Sequence, residues 1–476
     1  MDYKEALIGF AVSILLFVNT SCSSTGNKTP GTKVPRQPVC PAGRLPVSGK
    51  IHENLPCSAN PEITYALYLP AKLKPGYSLT WPVIIVFDSH ASGLLPVQKY
   101  CDLAEKYGYI LVGSNNSKNG QTAGETENIA VTLLTEVLSN YPTDTSRIYL
   151  AGFSGGSRVA SLVALTHKEV KGVIGCGAGF AGMNRTPTQK FDYFGCVGLA
   201  DFNLNEMLQL DEALNRMNFR HFITTFNGPH EWPPSEIMEK GFLWLTMNAV
   251  KDGRIKKDDQ LINSFMTKMA MLAADRIKEG KKLEGANILE LELNSVEGLA
   301  DITTITKCLD DLKQNPDYMK LLKHREDLLA MEQKEQQMMI EQLFMKDVKW
   351  WDRQIKKYGS NSKRGNDMEE TMKNKRLLSF LSLLCYSNAH AEMKQNNTEL
   401  SFKMMEIYEL ADPKNPEPNY LRSILFMQQS DTLSSMNQLQ NAINKGFSDK
   451  GRVIQQNEFQ SLKEYRPFFD LLQKMK

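Results

Sequence analysis

The stretch Ile148-Tyr149-Leu150-Ala151-Gly152-Phe153-Ser154-Gly155-Gly156 runs from apolar, strand-like sequence into the helical pattern Arg158-Val159-Ala160-Ser161-Leu162-Val163-Ala164-Leu165, with one serine caught on the turn. So tight a turn needs glycine on both sides, because side chains there would clash and the serine must hold a strained backbone to expose its hydroxyl. This is the sequence form of a nucleophile elbow, and it commits the region to a strand followed at once by a helix. The five-residue pattern recurs by chance; the strand before it and the helix after it carry the inference.

The surrounding sequence repeats that alternation. Val83-Ile84-Ile85-Val86-Phe87, Ile110-Leu111-Val112-Gly113-Ser114, Val173-Ile174-Gly175-Cys176-Gly177 and Phe194-Gly195-Cys196-Val197-Gly198-Leu199-Ala200 are short apolar runs, as expected of strands buried on both faces. Helical patterns such as Ile129-Ala130-Val131-Thr132-Leu133-Leu134 lie between them. Residues 51–250 are therefore expected to form an α/β domain, a mainly parallel sheet flanked by helices.

A serine hydroxyl attacks only when a base takes its proton, and the base needs a carboxylate to fix its tautomer. The chain has seven histidines. His324 and His390 lie far downstream in helical sequence, His52 precedes the first expected strand, and His167 falls near the end of the helix that the elbow begins. His221 opens an apolar run and so sits at the wrong end of a parallel strand. His230 follows that run, in the loop Asn227-Gly228-Pro229-His230-Glu231-Trp232-Pro233-Pro234. For the acid, Asp201 is the first carboxylate past the run 194–200. Asp192 precedes that run, Asp211 lies in the next helical stretch, and Asp88, at the end of an earlier strand, is the main rival. The order Ser154, Asp201, His230 is that of an α/β-hydrolase. The competing account is a turn serine, a helix-capping aspartate and a surface histidine; three roles filled in order at three strand ends favour catalysis.

Stabilising an oxyanion takes two donors. One is expected from the N–H of Gly155, the other from the loop after the early strand, where Ser89, His90 and Ala91 are the candidates. His90 either orders that loop by a hydrogen bond or stands as a second base. Trp232, beside the expected base, either walls the substrate pocket or packs its own loop. Asn115-Asn116-Ser117-Lys118-Asn119-Gly120 follows a strand and is expected on the rim, with a plain solvated loop as the alternative.

Tyr65-Ala66-Leu67-Tyr68-Leu69-Pro70, Trp81-Pro82-Val83, the elbow, Gly198-Leu199-Ala200-Asp201 and His230-Glu231-Trp232-Pro233 together resemble the polyhydroxybutyrate depolymerase and feruloyl esterase branch of the α/β-hydrolases. By this resemblance Ser154 is the nucleophile, Asp201 the acid and His230 the base. One departure stands out: many relatives carry His-Gly in the oxyanion loop where this chain has His90-Ala91. If that glycine takes positive φ, alanine is strained there or the loop is reshaped.

At the start of the chain, residues 6–18 form a thirteen-residue apolar run, too short to span a bilayer and right for a signal-peptide core. Ser21-Cys22-Ser23-Ser24 follows and resembles a bacterial lipoprotein signal, with cleavage before Cys22 and lipid on its thiol; a plain secretory signal is the alternative. Residues 1–21 are thus expected to be a signal peptide and 22–50 a flexible tether. Cys40 and Cys57 are disulfide candidates. Cys101, Cys176, Cys196, Cys308 and Cys385 sit in apolar patterns where a buried thiol is the default. No Cys/His spacing suits zinc and no phosphate-binding glycine loop is present, so neither a metal nor a cofactor is expected.

Composition changes near residue 250. Of 31 glycines only 8 lie beyond it, and of 21 prolines only 5, but 16 of the 22 methionines do. Helices are implied for the remainder. The mixed-charge patterns 261–283 and 321–351 read as solvated helix faces, and with a net charge of +2 nucleic acid is not an expected partner. A helical region is expected over 251–375. Over 376–476, paired helices around Met404-Met405 and Tyr420-Leu421 look like degenerate tetratricopeptide repeats. Trp350-Trp351 is expected to be core packing.

Together these features lead to the expectation of an exported serine esterase. It would face the periplasm or be anchored to the outer membrane through lipid, act on an ester or carbohydrate-ester substrate, and offer its C-terminal helices to a protein partner. Two other readings stay open: a hydrolase-fold lipoprotein that has lost activity and serves as a scaffold, and a serine peptidase using the same three residues.

Overall fold

The computed structural model describes residues 45–73, 80–180, 189–364 and 367–475. The expected signal peptide, Cys22, most of the tether and Cys40 lie outside these residues, and with Cys40 the pairing to Cys57; Cys57 itself is buried. The chain divides into two compact units between His324 and Arg325.

The first unit is built on an eight-stranded sheet of β1 (Ile51–Pro56), β2 (Thr64–Tyr68), β3 (Trp81–Phe87), β4 (Ile110–Ser114), β5 (Thr143–Phe153), β6 (Val170–Cys176), β7 (Asp192–Gly198) and β8 (His221–Phe226). Its order is β1-β2-β4-β3-β5-β6-β7-β8. Only the β1–β2 and β2–β4 pairings are antiparallel. His52, expected before the first strand, is the second residue of β1. The apolar runs read from the sequence are the central parallel strands, buried along their length as helices on both faces require. Those helices are α1 (Leu94–Tyr107), α2 (Ala123–Asn140), α3 (Gly155–Thr166), α4 (Leu204–Arg216) and α5 (Ser235–Lys251). α2 opens with a capping box in which Thr122 and Glu125 satisfy each other's backbone N–H groups.

Register brings the strand ends level. Phe87 pairs with Gly152, Phe153 with Cys176, Cys176 with Cys196, and Gly198 with Phe226. The loops after β3, β5, β7 and β8 therefore open along one edge of the sheet.

Packing of this unit continues past residue 250. In α6 (Asp259–Lys278), α7 (Lys282–Val296) and α8 (Thr303–Lys313), residues such as Phe265, Met269, Ile288, Leu291 and Leu309 join the core that holds Phe194 and Trp244. β8 ends the sheet, and an uncovered edge is a template for pairing with other chains. Asn287 of α7 blunts it, donating from Nδ2 to the Ile223 carbonyl at 3.2 Å and accepting from Thr224 Oγ1 at 2.6 Å. Trp244 Nε1 donates to Asn294 Oδ1 at 2.7 Å. The composition break at 250 thus marks where glycine-rich strand turns stop, whereas the compact unit runs on through α6, α7 and α8 to His324. Cys308, expected buried, is exposed on α8; Cys176, Cys196 and Cys385 are buried.

Within α7, Glu292 is 1% exposed and its Oε2 has no hydrogen-bond partner among the described residues. Burial pushes its carboxyl up to about 7. The folded-state value lies above the unfolded one, so the stability the folded protein retains below about pH 4.5 is lost as pH rises through about 7 and is constant above it. Glu292→Gln is expected to stabilise this unit by roughly 2–3 kcal/mol at pH 8 and to leave it unchanged near pH 4.5. Urea unfolding of both proteins at the two pH values checks this.

From Arg325 onward the described chain is helical. The elements are the part of α9 (Pro316–Gln342) from residue 325 on, α10 (Val348–Arg364), α11 (Met368–Lys394), α12 (Thr398–Ala411) and further helices over Glu417–Gln428, Thr432–Asn444, Lys450–Gln455 and Arg466–Lys474. Their core includes Trp351, Leu377, Leu381, Met404, Met405, Tyr420 and Phe459, and Trp350 meets Trp351 edge-on at 4.9 Å between ring centroids. No helix among the described residues is long and apolar enough to cross a membrane.

Candidate active site

Ser154 sits between the end of β5 and the first turn of α3, at φ 55° and ψ −120°, a conformation that costs free energy for any residue with a side chain. Two glycines permit the turn. A Cβ on Gly152 would come within 2.1 Å of the Gly156 carbonyl oxygen, and one on Gly156 within 2.0 Å of the Phe87 carbonyl oxygen. The Ser154 N–H donates to the Cys176 carbonyl at 2.8 Å, which fixes the serine to the neighbouring strand.

His230 and Asp201 meet it there. His230 Nε2 lies 2.9 Å from Ser154 Oγ, and His230 Nδ1 lies 2.8 Å from Asp201 Oδ2. The carboxylate accepts, so Nδ1 carries the proton and Nε2 is left to accept from the serine hydroxyl. Asp201 is fully buried, and its second oxygen accepts the Asn203 N–H at 2.9 Å. Asn203 Nδ2 in turn donates to the Gly177 carbonyl at 2.7 Å. The imidazole is held between Phe153 and Phe202, with ring centroids at 4.6 and 4.4 Å. Gly177, at φ 65°, leaves room for this packing, since a Cβ there would stand 3.2 Å from Asp201 Oδ2 and 3.3 Å from His230 Cε1.

The remaining histidines and carboxylates take other places. His221 Nε2 pairs with Asp211 at 3.2 Å at the opposite end of β8, and His167 caps the C-terminus of α3. Asp192 pairs with Arg254 at 2.9 Å at the start of β7. Asp88, the rival acid, is buried and accepts Trp232 Nε1–H and the His90 N–H, both at 2.8 Å. Burial works against its charge, but the hydrogen bonds from His90 and Trp232 outweigh it and hold the carboxyl below its ordinary value. Trp232, offered as a pocket wall, is instead enclosed: its ring packs against Tyr100 and Phe153, and its N–H is spent on Asp88. It ties the histidine loop to the loop after β3.

That second loop is partly committed. The His90 N–H goes to Asp88, and the Ala91 N–H donates to the Ser117 carbonyl at 3.0 Å. Ser89 N–H is the remaining donor of the three. Ala91 stands at φ 59°, so alanine does occupy the left-handed region that glycine adopts freely. The His90 side chain is exposed, with Nδ1 3.1 Å from Ser89 Oγ, and the imidazole hydrogen-bonded to Ser154 Oγ is that of His230. Phe202, Gly177 and Asn203 were not singled out from sequence; Phe202 and Asn203 follow Asp201 directly, the one signal that pointed to them.

Sheet order, elbow and the sequence of strand-end residues together define the α/β-hydrolase fold. No family model matches the chain. A probable acetylxylan esterase A of Aspergillus fumigatus is 26% identical over 140 residues, which is 26% of this chain and 36% of that protein. The chain thus spans little more than a third of this curated relative's length. Among solved structures, esterase B from Lactobacillus rhamnosis is 16% identical with a TM-score of 0.36, covering 45% of this chain and 93% of that one. A ferulic acid esterase is 15% identical with a TM-score of 0.34, covering 41% and 95%.

Proposed function

We propose that the first unit is a serine hydrolase of carboxylic esters, acting through an acyl-enzyme on Ser154, with carbohydrate-linked esters as its substrate class. The observation that carries this is the continuous hydrogen-bonded line from Ser154 Oγ through His230 to the buried Asp201. In the proposed reaction the serine oxygen attacks the ester carbonyl while Nε2 takes its proton. Asp201 stabilises the imidazolium, which then protonates the leaving alcohol. Water, activated by the same imidazole, releases the acid. The name of the acetylxylan esterase supports the sugar-ester class. Export and a lipid anchor at Cys22 belong to this proposal on the strength of the N-terminal sequence.

The test is a panel of aryl acetates, methyl ferulate and acetylated xylo-oligosaccharides, with fluorophosphonate labelling as a second readout. The wild type should turn over at least one ester and be labelled, and Ser154→Ala should do neither. Equal labelling of both proteins removes Ser154 from this role. One observation favours a scaffold whose catalysis has lapsed: the loop meant to hold the oxyanion spends two of its three N–H groups internally and strains Ala91. In that case the full-length protein hydrolyses nothing on the panel.

A further inference from the structure

Among the described residues Ser89 N–H is the one uncommitted donor of the three in the loop after β3, and a second loop also faces the elbow. The loop after β4 is laced to the loop after β3 at two points: the Asn119 N–H donates to the Ser89 carbonyl at 2.9 Å and the Ala91 N–H to the Ser117 carbonyl at 3.0 Å. Lys118 N–H donates to Gln121 Oε1 at 2.9 Å, and Gln121 Nε2 reaches back to the Asn116 carbonyl at 3.1 Å, closing the turn. This lacing points the Asn119 side chain at the elbow. A Cβ built on Gly155 would stand 1.8 Å from Asn119 Oδ1, 2.9 Å from Cγ and 3.5 Å from Nδ2. The carboxamide therefore fills the open face of the residue whose N–H is the first expected oxyanion donor. It makes no hydrogen bond of its own among the described residues, and Asn119 is exposed. Nothing there fixes which end of the amide faces Gly155. A half-turn about Cβ–Cγ exchanges Oδ1 and Nδ2 in the same space.

We propose that Asn119 is a catalytic residue of this site, its side-chain amide donating from Nδ2 to the oxyanion beside the Gly155 N–H. The proposal rests on Ser154 being the nucleophile of an acyl transfer. On attack the Ser154 Oγ–carbon bond forms, the carbonyl π pair moves onto oxygen and the hydroxyl proton passes to His230 Nε2. The new negative charge needs donors already in place, and an amide on a laced loop meets that need without reorganising. When the tetrahedral intermediate collapses, the pair returns to the carbonyl and the alkoxide leaves with the proton from His230.

The experiment uses the full chain and an ester that the wild type hydrolyses. Asn119→Ala should lower kcat by roughly 10²–10³-fold with KM within a few-fold, the size found for loss of one oxyanion donor. Affinity for a trifluoromethyl ketone that adds to Ser154 should fall by the same factor as kcat/KM, which a purely structural loop residue would not produce. Asn119→Asp, equal in size but bearing charge, should be at least as impaired above pH 6. Melting temperatures of both variants should stay at the wild-type value. A kcat for Asn119→Ala within twofold of wild type, or ketone affinity unchanged while kcat falls, overturns the assignment and leaves the esterase reading standing. A wild type inactive on every ester would instead overturn the reading on which it rests.

Discussion

His230→Ala is expected to lower kcat for ester hydrolysis by roughly 10⁶-fold, and adding Ser154→Ala to it to cost little more. Without the imidazole, the serine hydroxyl 2.9 Å away has no group to take its proton, so its nucleophilicity is already gone before the oxygen is removed. Residues that act as one unit are non-additive in this way. Asp201→Asn should cost less, on the order of 10⁴-fold, because an amide in place of the carboxylate can present an N–H to Nδ1 and favour the wrong tautomer. The Phe153 and Phe202 rings still hold the imidazole in that variant, so its loss reports on protonation more than on position. Single-turnover rates of the three single variants and the double variant check this. Losses that multiply independently in the double variant would show that Ser154 and His230 do not work together.

These three positions were legible because each follows an apolar run that could only be a buried strand, and parallel strands of one sheet deliver their C-terminal loops to one edge. The elbow glycines were legible for the same reason, since strand-to-helix turns of that tightness allow few residues. Asn119 was not. Its sequence signal was a polar loop after a strand, shared by countless solvated loops, and its place on Gly155 depends on the lacing of two loops remote in sequence. Trp232 left two readings open because a tryptophan beside a base suits a pocket wall as well as a loop core; its bond to the buried carboxylate of Asp88, far away in sequence, favours the second. Residue 250 was read as a boundary because composition reports on local structure. Packing instead continues through helices whose partners are remote in sequence, as where Asn287 meets the edge strand β8, a contact with no local mark.

The same blindness affects charge. The pattern 321–351 reads as a solvated, salt-bridged helix face, yet Glu332 of α9 is fully buried and Arg376 of α11 is 2% exposed. Arg376 Nε lies 3.0 and 2.9 Å from the two carboxylate oxygens, and its Nη2 lies 2.6 Å from Oε2. Burial raises the Glu332 carboxyl above its ordinary value even against the pull of this guanidinium. The pair is thus weak evidence of net stabilisation, but severing it removes the carboxylate's hydrogen-bonded counter-ion and leaves it the weaker attraction of buried Lys373. Arg376→Met is expected to destabilise the helical unit by about 3–5 kcal/mol at pH 8. The cost should shrink as pH falls, because an unpaired Glu332 then escapes its burial penalty by taking a proton. Glu332→Leu added to Arg376→Met should recover most of the loss, since an apolar pair leaves nothing to solvate. Urea unfolding followed by tryptophan fluorescence, with Trp351 in the same core, measures all three. A single variant as stable as wild type at pH 8 would mean that Lys373 or water compensates Glu332 in the folded protein without Arg376.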